Sequence, residues 1–303
     1  MNGKVSVIIP AYQASGLILE TLDSIANQTY TNWEVVVVED GTNDGTEKIV
    51  SEFASKHPKH RVQFVRHEKN RGVGPSRNTA MENAQGDYLA FLDSDDIWQS
   101  LYLETMVNAL EASKTDIAYS AVQFFDHHTK EKLIQWGPTQ EDLQVFPEGL
   151  FERNFIAPSG AVIRKEVVKR VGGFDVDPLI QSCEDHDYWL RCLDKGLRFQ
   201  FVPETYSWYR KNHGNQATDN FSKILERDLR VLHKHKKLGS ISNKTRRHAI
   251  ANLYTRLANE QKKTDTFKAI RSIILAWKEE PLEIRSIRRT LSTLLRLFTP
   301  ARS

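Results

Sequence analysis

The feature that most constrains this chain is the run Glu34-Val35-Val36-Val37-Val38. It is β-branched and lacks the polar alternation of a strand with one wet face. Such a run reads as a strand covered on both sides, the mark of a parallel sheet packed between helices. A second apolar run, Val5–Ile9, ends at Pro10 and reads the same way. Between and after them the pattern alternates. Leu17–Ala26 has helical spacing, and Asp44-Gly45-Thr46 opens another helix, with Asp44 or Thr46 as its cap. Val62–Val65 predicts a strand, Pro75–Ala84 a helix and Asp87–Leu92 a strand. The expected fold class is therefore α/β with a mostly parallel central sheet and helices on both faces. Ligands on such sheets bind beyond the carboxyl ends of the strands.

Acidic residues collect at those ends. Asp93-Ser94-Asp95-Asp96 puts three carboxylates in four residues directly after a strand. Like charges this close must be compensated. A divalent cation does so with hard oxygen ligands, so Mn2+ or Mg2+ is the expected cofactor. The alternative is a solvated acidic turn before the helix that begins near Leu101. An EF-hand is excluded, because the glycine and the final glutamate of that loop are missing. Asp40 ends the valine strand, where a carboxylate could accept from a base N–H or simply make an Asp-Gly turn. Arg71 and Arg77 could face phosphates or solvent. Glu184-Asp185-His186-Asp187 starts a helix running to about Lys195, and Asp185 is the candidate general base. Asp187 and Arg191, four apart, can pair along that helix. His213 could ligate a metal as a neutral imidazole or serve a structural part.

The region 124–160 is less regular, with Trp136, Gly137, Pro138, Pro147 and Pro158. Regularity returns with Lys165–Val171, and a strand is expected near Phe199–Val202. From about Phe221 only helical patterns remain. Residues 221–303 carry 20 Lys and Arg against 7 Asp and Glu, and the rest of the chain carries 22 against 32. An acidic body with a basic tail suggests different partners. The expected division is a catalytic domain at 1–218 and a basic helical extension at 219–303. Pro281 marks the start of a last amphipathic helix, with Ile284, Ile287, Leu291, Leu294 and Phe298 on one stripe. That stripe could lie on anionic lipid, pack on the catalytic domain, or meet a second copy in a homodimer. No nucleic-acid motif accompanies the charge. Two cysteines make no disulfide framework, no stretch reaches the roughly 18 apolar residues of a membrane span, and no signal sequence is read. A cytoplasmic setting is expected, with a peripheral place at the inner face of the membrane as the option that the basic stripe leaves open.

Taken in order, these segments resemble the family 2 glycosyltransferases of the GT-A fold. The resemblance rests on Val5–Tyr12, Ser24–Tyr30, Glu39–Thr46, Asn70–Asn78, Gly86–Asp96, Gly172–Asp175, Glu184–Arg191 and Tyr209–His213. It covers about residues 4–215. It implies an inverting, single-displacement transfer from a nucleotide-diphosphate sugar, with UDP the preferred carrier, to a saccharide or lipid-linked hydroxyl in polysaccharide or glycolipid synthesis. It assigns Pro10, Tyr12 and Asp40 to the nucleoside, Asp93 and Asp95 to the ribose and metal, and Asp96 to the same site. Asp185 becomes the base and His213 an extra metal ligand. Glu184, Trp136 and Trp208 are candidates for the acceptor or sugar, and Phe155 is a further aromatic candidate for stacking. Gln13, Glu39, Thr42-Asn43, Pro75 and Thr79 depart from the family pattern, which touches donor-base details and removes no assigned carboxylate. A nucleotidyltransferase is the runner-up, but Pro10–Gly16 lacks its glycine-rich basic loop. A non-catalytic carbohydrate-binding relative is the third reading.

Overall fold

A computed structural model describes residues 3–212 and 221–281. Its contacts divide the chain into two units. The first holds residues 1–139, 155–177 and 187–216, and the second holds 140–154, 178–186 and 217–303. The expected boundary at 218/219, His213 and the helix at 284–298 lie outside the described residues.

The first unit opens with alternating elements. They are β1 (Val5–Ala11), α1 (Ile18–Ala26), β2 (Trp33–Glu39), α2 (Thr46–Lys56), β3 (Val62–Arg66), α3 (Val73–Asn83) and β4 (Tyr88–Phe91). Then come β5 (Ile97–Trp98), α4 (Tyr102–Ser113), β6 (Ile117–Asp126) and β7 (Lys132–Trp136). The order of strands in the sheet is β3-β2-β1-β4, followed by β8 (Ala161–Arg164), β6, β9 (Phe199–Lys211) and β5, with β7 also paired to β6. Every residue of β1 and β2 is buried, as their unbroken apolar runs require. Pairing is parallel from β3 to β4 and mixed beyond, since β8 runs antiparallel to both β4 and β6. The chain leaves β1 toward β2 and β3 and then returns to β4 on the other flank. The carboxyl ends of β1, β2 and β4 therefore share one edge, at a reversal of strand order where α/β sheets bind ligands. Ala11 is in register with Glu39, and Ile8 with Phe91.

Two strands depart from expectation. β9 runs well past Val202 to Lys211, because the chain arches out at Pro203–Tyr206 and rejoins β6 at Ser207 opposite Val122. β7 stands where irregular structure is expected, and four of its five residues are exposed, so no apolar periodicity marks it. The helix after Asp44 begins at Thr46, with left-handed Gly45 as its cap residue. The Asp44 carboxylate still accepts from the Thr46 N–H and hydroxyl, and from the Ser15 N–H at 2.8 Å.

The second unit is helical. It contains α5 (Gln140–Gln144), α6 (Glu148–Glu152), the first residues of α8 (Glu184–Asp194), α9 (Phe221–Lys234), α10 (Asn243–Gln261) and α11 (Thr266–Glu279). The remaining helix of the first unit, α7, spans Glu166–Val171. Ser242 caps α10 by accepting from the Thr245 N–H, and Asp265 caps α11 through Lys268 N–H. Among the described residues no helix is long and apolar enough to cross a membrane.

Two carboxylates, Glu34 and Glu39, lie inside the all-buried β2. Glu34 accepts from Ser6 Oγ at 2.6 Å and from the Gln85 N–H, with Lys4 Nζ at 3.6 Å and Arg61 at 3.4 Å. Burial alone would raise its pKa, but these donors and cations outweigh burial and hold it below the usual glutamate value. A depressed carboxylate contributes stability above its unfolded pKa, and that contribution disappears as pH falls through the folded pKa. Glu34→Gln is expected to lose about 1–3 kcal/mol at neutral pH. The gap to wild type should close as pH drops below about 4.5, as followed by urea unfolding across pH.

Candidate active site

At the shared strand edge, β1 delivers Pro10 and then Tyr12, whose side chain is 50% exposed. β2 delivers Asp40, only 4% exposed. Its carboxylate accepts from His67 Nδ1 at 2.7 Å, from the Arg71 N–H at 2.9 and 3.1 Å and from the Gly72 N–H at 2.7 Å. An ionised carboxylate offers about four acceptor sites, so Asp40 is largely spent on shaping the 70–72 loop. His67 is fixed in turn by Thr79 Oγ1 at 2.9 Å. Gly41 makes this approach feasible. It sits at φ +76°, and a Cβ there would collide with the Lys69–Asn70 backbone.

β4 delivers the acidic turn. Asp93 Oδ1 accepts from Arg77 Nη2 at 2.7 Å, and the Arg77 guanidinium lies over the Phe174 ring at 5.4 Å. Arg71 is exposed, while Arg77 is buried against this carboxylate. The protein thus supplies part of the compensation that three adjacent carboxylates need. Asn78, beside Arg77, exchanges hydrogen bonds with the Phe174 backbone, which brings the 70–78 and 172–175 segments together. Asp187 and Arg191 pair at 2.8 Å, as their spacing predicts.

Asp96 is fully buried. Its Oδ2 accepts from Ser159 Oγ at 2.6 Å and its Oδ1 from the Arg210 N–H at 3.0 Å. Burial, then the charges of Asp95 and Asp93, push its pKa well above the usual carboxylate range. The Ser159 hydroxyl also accepts from the Asp93 N–H at 3.1 Å. Thr21 Oγ1 lies 2.8 Å from the Asp96 carbonyl and 3.0 Å from that of Ser94. Arg210, equally buried, donates through Nε to the Asp95 carbonyl at 2.7 Å and through Nη2 to Glu20 at 2.8 Å. Asp93 and Asp95, both half-buried, remain at the rim of the turn.

Among the described residues no group of three or more His, Cys, Asp or Glu is placed to hold a metal ion. Two rim carboxylates on a fixed turn nonetheless suit a cation that takes one or two carboxylates and fills its shell with phosphate and water oxygens. The two described donors are carboxylates, hard oxygen ligands that fit Mg2+ or Mn2+.

Trp136 and Trp208 are half-buried in the first unit. Lys132 Nζ stands 4.9 Å over the Trp208 ring, and Phe125 lies 5.8 Å from it. Phe155 is fully buried near Tyr119 and belongs to the core.

In the second unit Asp185 occupies the first turn of α8, next to buried Glu184. Its Oδ2 accepts from Asn154 Nδ2 at 2.9 Å and its Oδ1 from the His186 N–H at 2.8 Å. Helix N-termini favour the ionised carboxylate. Asn154, Ser159 and His67 carry no motif that spacing would reveal, and Arg210 sits in the Tyr209–His213 segment without any sign of the turn it serves. Their partners lie 27 to 190 residues away in the chain.

Arg210→Met would leave the Asp95 carbonyl and Glu20 without this donor, while the backbone N–H at 210 still reaches Asp96. Unfolding by denaturant is expected to register a loss of about 1–3 kcal/mol, the scale for a buried acceptor left without its donor. A loss below about 1 kcal/mol would mean that the turn does not depend on this guanidinium.

Comparison with known proteins agrees with this architecture. A family model described as glycosyl transferase family 2 matches residues 6–172. The UDP-Glc:alpha-D-GlcNAc-diphosphoundecaprenol beta-1,3-glucosyltransferase WfaP of Escherichia coli is 25% identical over 221 residues, 73% of this chain and 82% of that protein. The crystal structure of S. aureus TarS 1-349 in complex with UDP-GlcNAc superposes with a TM-score of 0.63 at 18% identity, covering 97% of this chain and 80% of that one. The mannosyltransferase PcManGT of Pyrobaculum calidifontis, in complex with GDP-Man and Mn2+, gives a TM-score of 0.64 at 20% identity over 98% of this chain and 81% of that one. With its family model covering more than half of the sequence and its mixed sheet matching GT-A structures, the chain belongs to glycosyltransferase family 2 and is a glycosyltransferase of the GT-A fold.

Proposed function

We propose that this enzyme is an inverting, metal-assisted glycosyltransferase that takes its sugar from a nucleoside-diphosphate carrier, preferentially UDP, and gives it to a saccharide or lipid-linked hydroxyl. The observation that carries the reading is the acidic turn after β4. Its buried base, Asp96, is clamped by Ser159 and Arg210, and Asp93 and Asp95 stand at its rim. A turn built this way holds two carboxylates in fixed positions at a ligand-binding sheet edge. Asp93 and Asp95 would hold the cation, with His213 as a further ligand. Asp96 serves by fastening the turn, since both its oxygens are already engaged. A divalent ion held there would supply the positive charge that stabilises a departing diphosphate.

The nucleoside falls to Pro10, exposed Tyr12 and the loop that Asp40 shapes, and exposed Arg71 suits a phosphate. Arg77 acts through Asp93, whose charge it balances. Asp185 takes the proton of the attacking hydroxyl as its oxygen bonds to the anomeric carbon. The bond from that carbon to the diphosphate breaks on the opposite face. Asn154 and the His186 N–H hold the Asp185 carboxylate in one orientation, which a general base requires. Glu184, Trp136 and Trp208 are proposed for the sugar or acceptor. The WfaP name supports a lipid-linked acceptor by analogy. Residues beyond 281 are proposed to contact the membrane or a second copy.

Asp185→Asn keeps the shape of the side chain and removes the base. Transfer should fall about 10²–10⁴-fold, with nucleotide binding retained. Product NMR should show the anomeric configuration opposite to that of the donor. Transfer by the variant within tenfold of wild type, or retention of configuration, would contradict the proposed mechanism.

A further inference from the structure

The base-bearing turn of the second unit contains a buried pair that the transfer chemistry does not use directly. His186, immediately after Asp185, is almost fully buried. Its Nδ1 faces Asp228 Oδ1 of α9 at 2.7 Å, and its Nε2 faces the Leu150 carbonyl of α6 at 2.9 Å. A carbonyl can only accept, and so can an ionised carboxylate. Both ring nitrogens must therefore carry protons, which makes His186 an imidazolium. Burial alone would favour the neutral ring, but the charge and hydrogen bond of Asp228, with smaller contributions from the Leu150 carbonyl and the Asp185 charge, raise its pKa above the ordinary histidine value.

α9 grips the same turn at two further points. Arg227 Nη1 reaches Ser182 Oγ at 3.4 Å, and Cys183 Sγ lies 3.6 Å from the Ile224 carbonyl. The charges acting on His186 are those of Asp228 on α9 and Asp185 on its own helix, and Glu184 and Arg227 add theirs at neighbouring Cys183. The Cys183 thiol beside them stays protonated, pushed up first by burial and then by these carboxylates.

We propose that the His186–Asp228 pair is a positioning device for Asp185, through which α9 helps to build the catalytic site. It rests on the reading of Asp185 as the base. The pair fixes the first turn of α8, including the His186 N–H that holds Asp185 Oδ1. It also keeps a positive charge one residue from the carboxylate that must stay ionised to accept a proton. The coupling is mutual: the Asp185 charge favours the imidazolium, and the imidazolium favours the carboxylate.

The test uses the full-length enzyme with Mn2+ and a panel of UDP-glucose, UDP-galactose and UDP-N-acetylglucosamine, with water as the acceptor and UDP release as the readout. Asp228→Asn preserves shape and removes the charge that holds the imidazolium. The expected result is a kcat about tenfold lower, a donor KM within twofold of wild type, and an acidic limb of the kcat profile displaced to higher pH. Asp228→Glu should restore the limb. Asp185→Asn is assayed in parallel. If it retains turnover, the base reading falls and this one with it. If it is inactive while Asp228→Asn matches wild type in kcat and pH profile, the base reading stands and the positioning role is overturned. Nitrogen-15 NMR of the wild type, with His186 assigned by its loss in His186→Gln, tests the pair without a folding risk at Asp228. Both ring nitrogens should be protonated at about pH 7.5, and a neutral ring there would overturn the proposal.

Discussion

The first unit depends on how it tolerates three carboxylates in one turn. Adjacent anions at a strand end repel, and burying one of them adds a desolvation cost. The chain solves this with groups drawn from distant segments. Arg77 neutralises Asp93, Ser159 bridges the Asp93 backbone to the Asp96 carboxylate, and the strand carrying Arg210 closes over both Asp95 and Asp96. A turn held this tightly has lost its freedom before any ligand arrives. Preorganised charge of this kind is what a site needs in order to bind a polyanion through a cation without spending affinity on ordering itself.

Much of this was readable from the chain. The β-branched runs of β1 and β2 announced strands buried on both faces, and the parallel half of the sheet followed. The carboxylates expected at the ends of β2 and β4 lie there, on one edge of the sheet, and the Asp187–Arg191 pair followed from helical spacing. Other features were not readable, for physical reasons. β7 is exposed and has no apolar alternation. β9 is interrupted by an outward arch at Pro203–Tyr206, which hides that Arg210 is a strand residue pointing into the turn. The hydrogen bonds of Asp40 to His67 and to the Arg71 and Gly72 amides were not readable from its place before Gly41. Such partners become neighbours only after the sheet has formed, so no local pattern encodes them.

The helical unit carries a parallel lesson. Its sequence signals were charge and helical periodicity, which suggested an appendage with its own partners. Its contacts instead join α6, the start of α8 and α9 around one buried imidazole. Asn154, from the region with the least regular sequence, holds one oxygen of Asp185, and a backbone amide holds the other. In both units the groups assigned to chemistry are short-range features of the sequence, and the groups that orient them are long-range products of the fold.

The rim carboxylates of the β4 turn are proposed to hold a nucleoside diphosphate through a divalent ion. Thermal shifts with UDP, GDP, dTDP and CDP, each with and without Mn2+, test it most directly in wild type and in Asp95→Asn, because a ligand that binds only the folded state raises stability by mass action. UDP is expected to raise Tm only when Mn2+ is present, and Asp95→Asn is expected to abolish the shift while still unfolding cooperatively. A UDP shift independent of the metal, or one unchanged by the substitution, would contradict it.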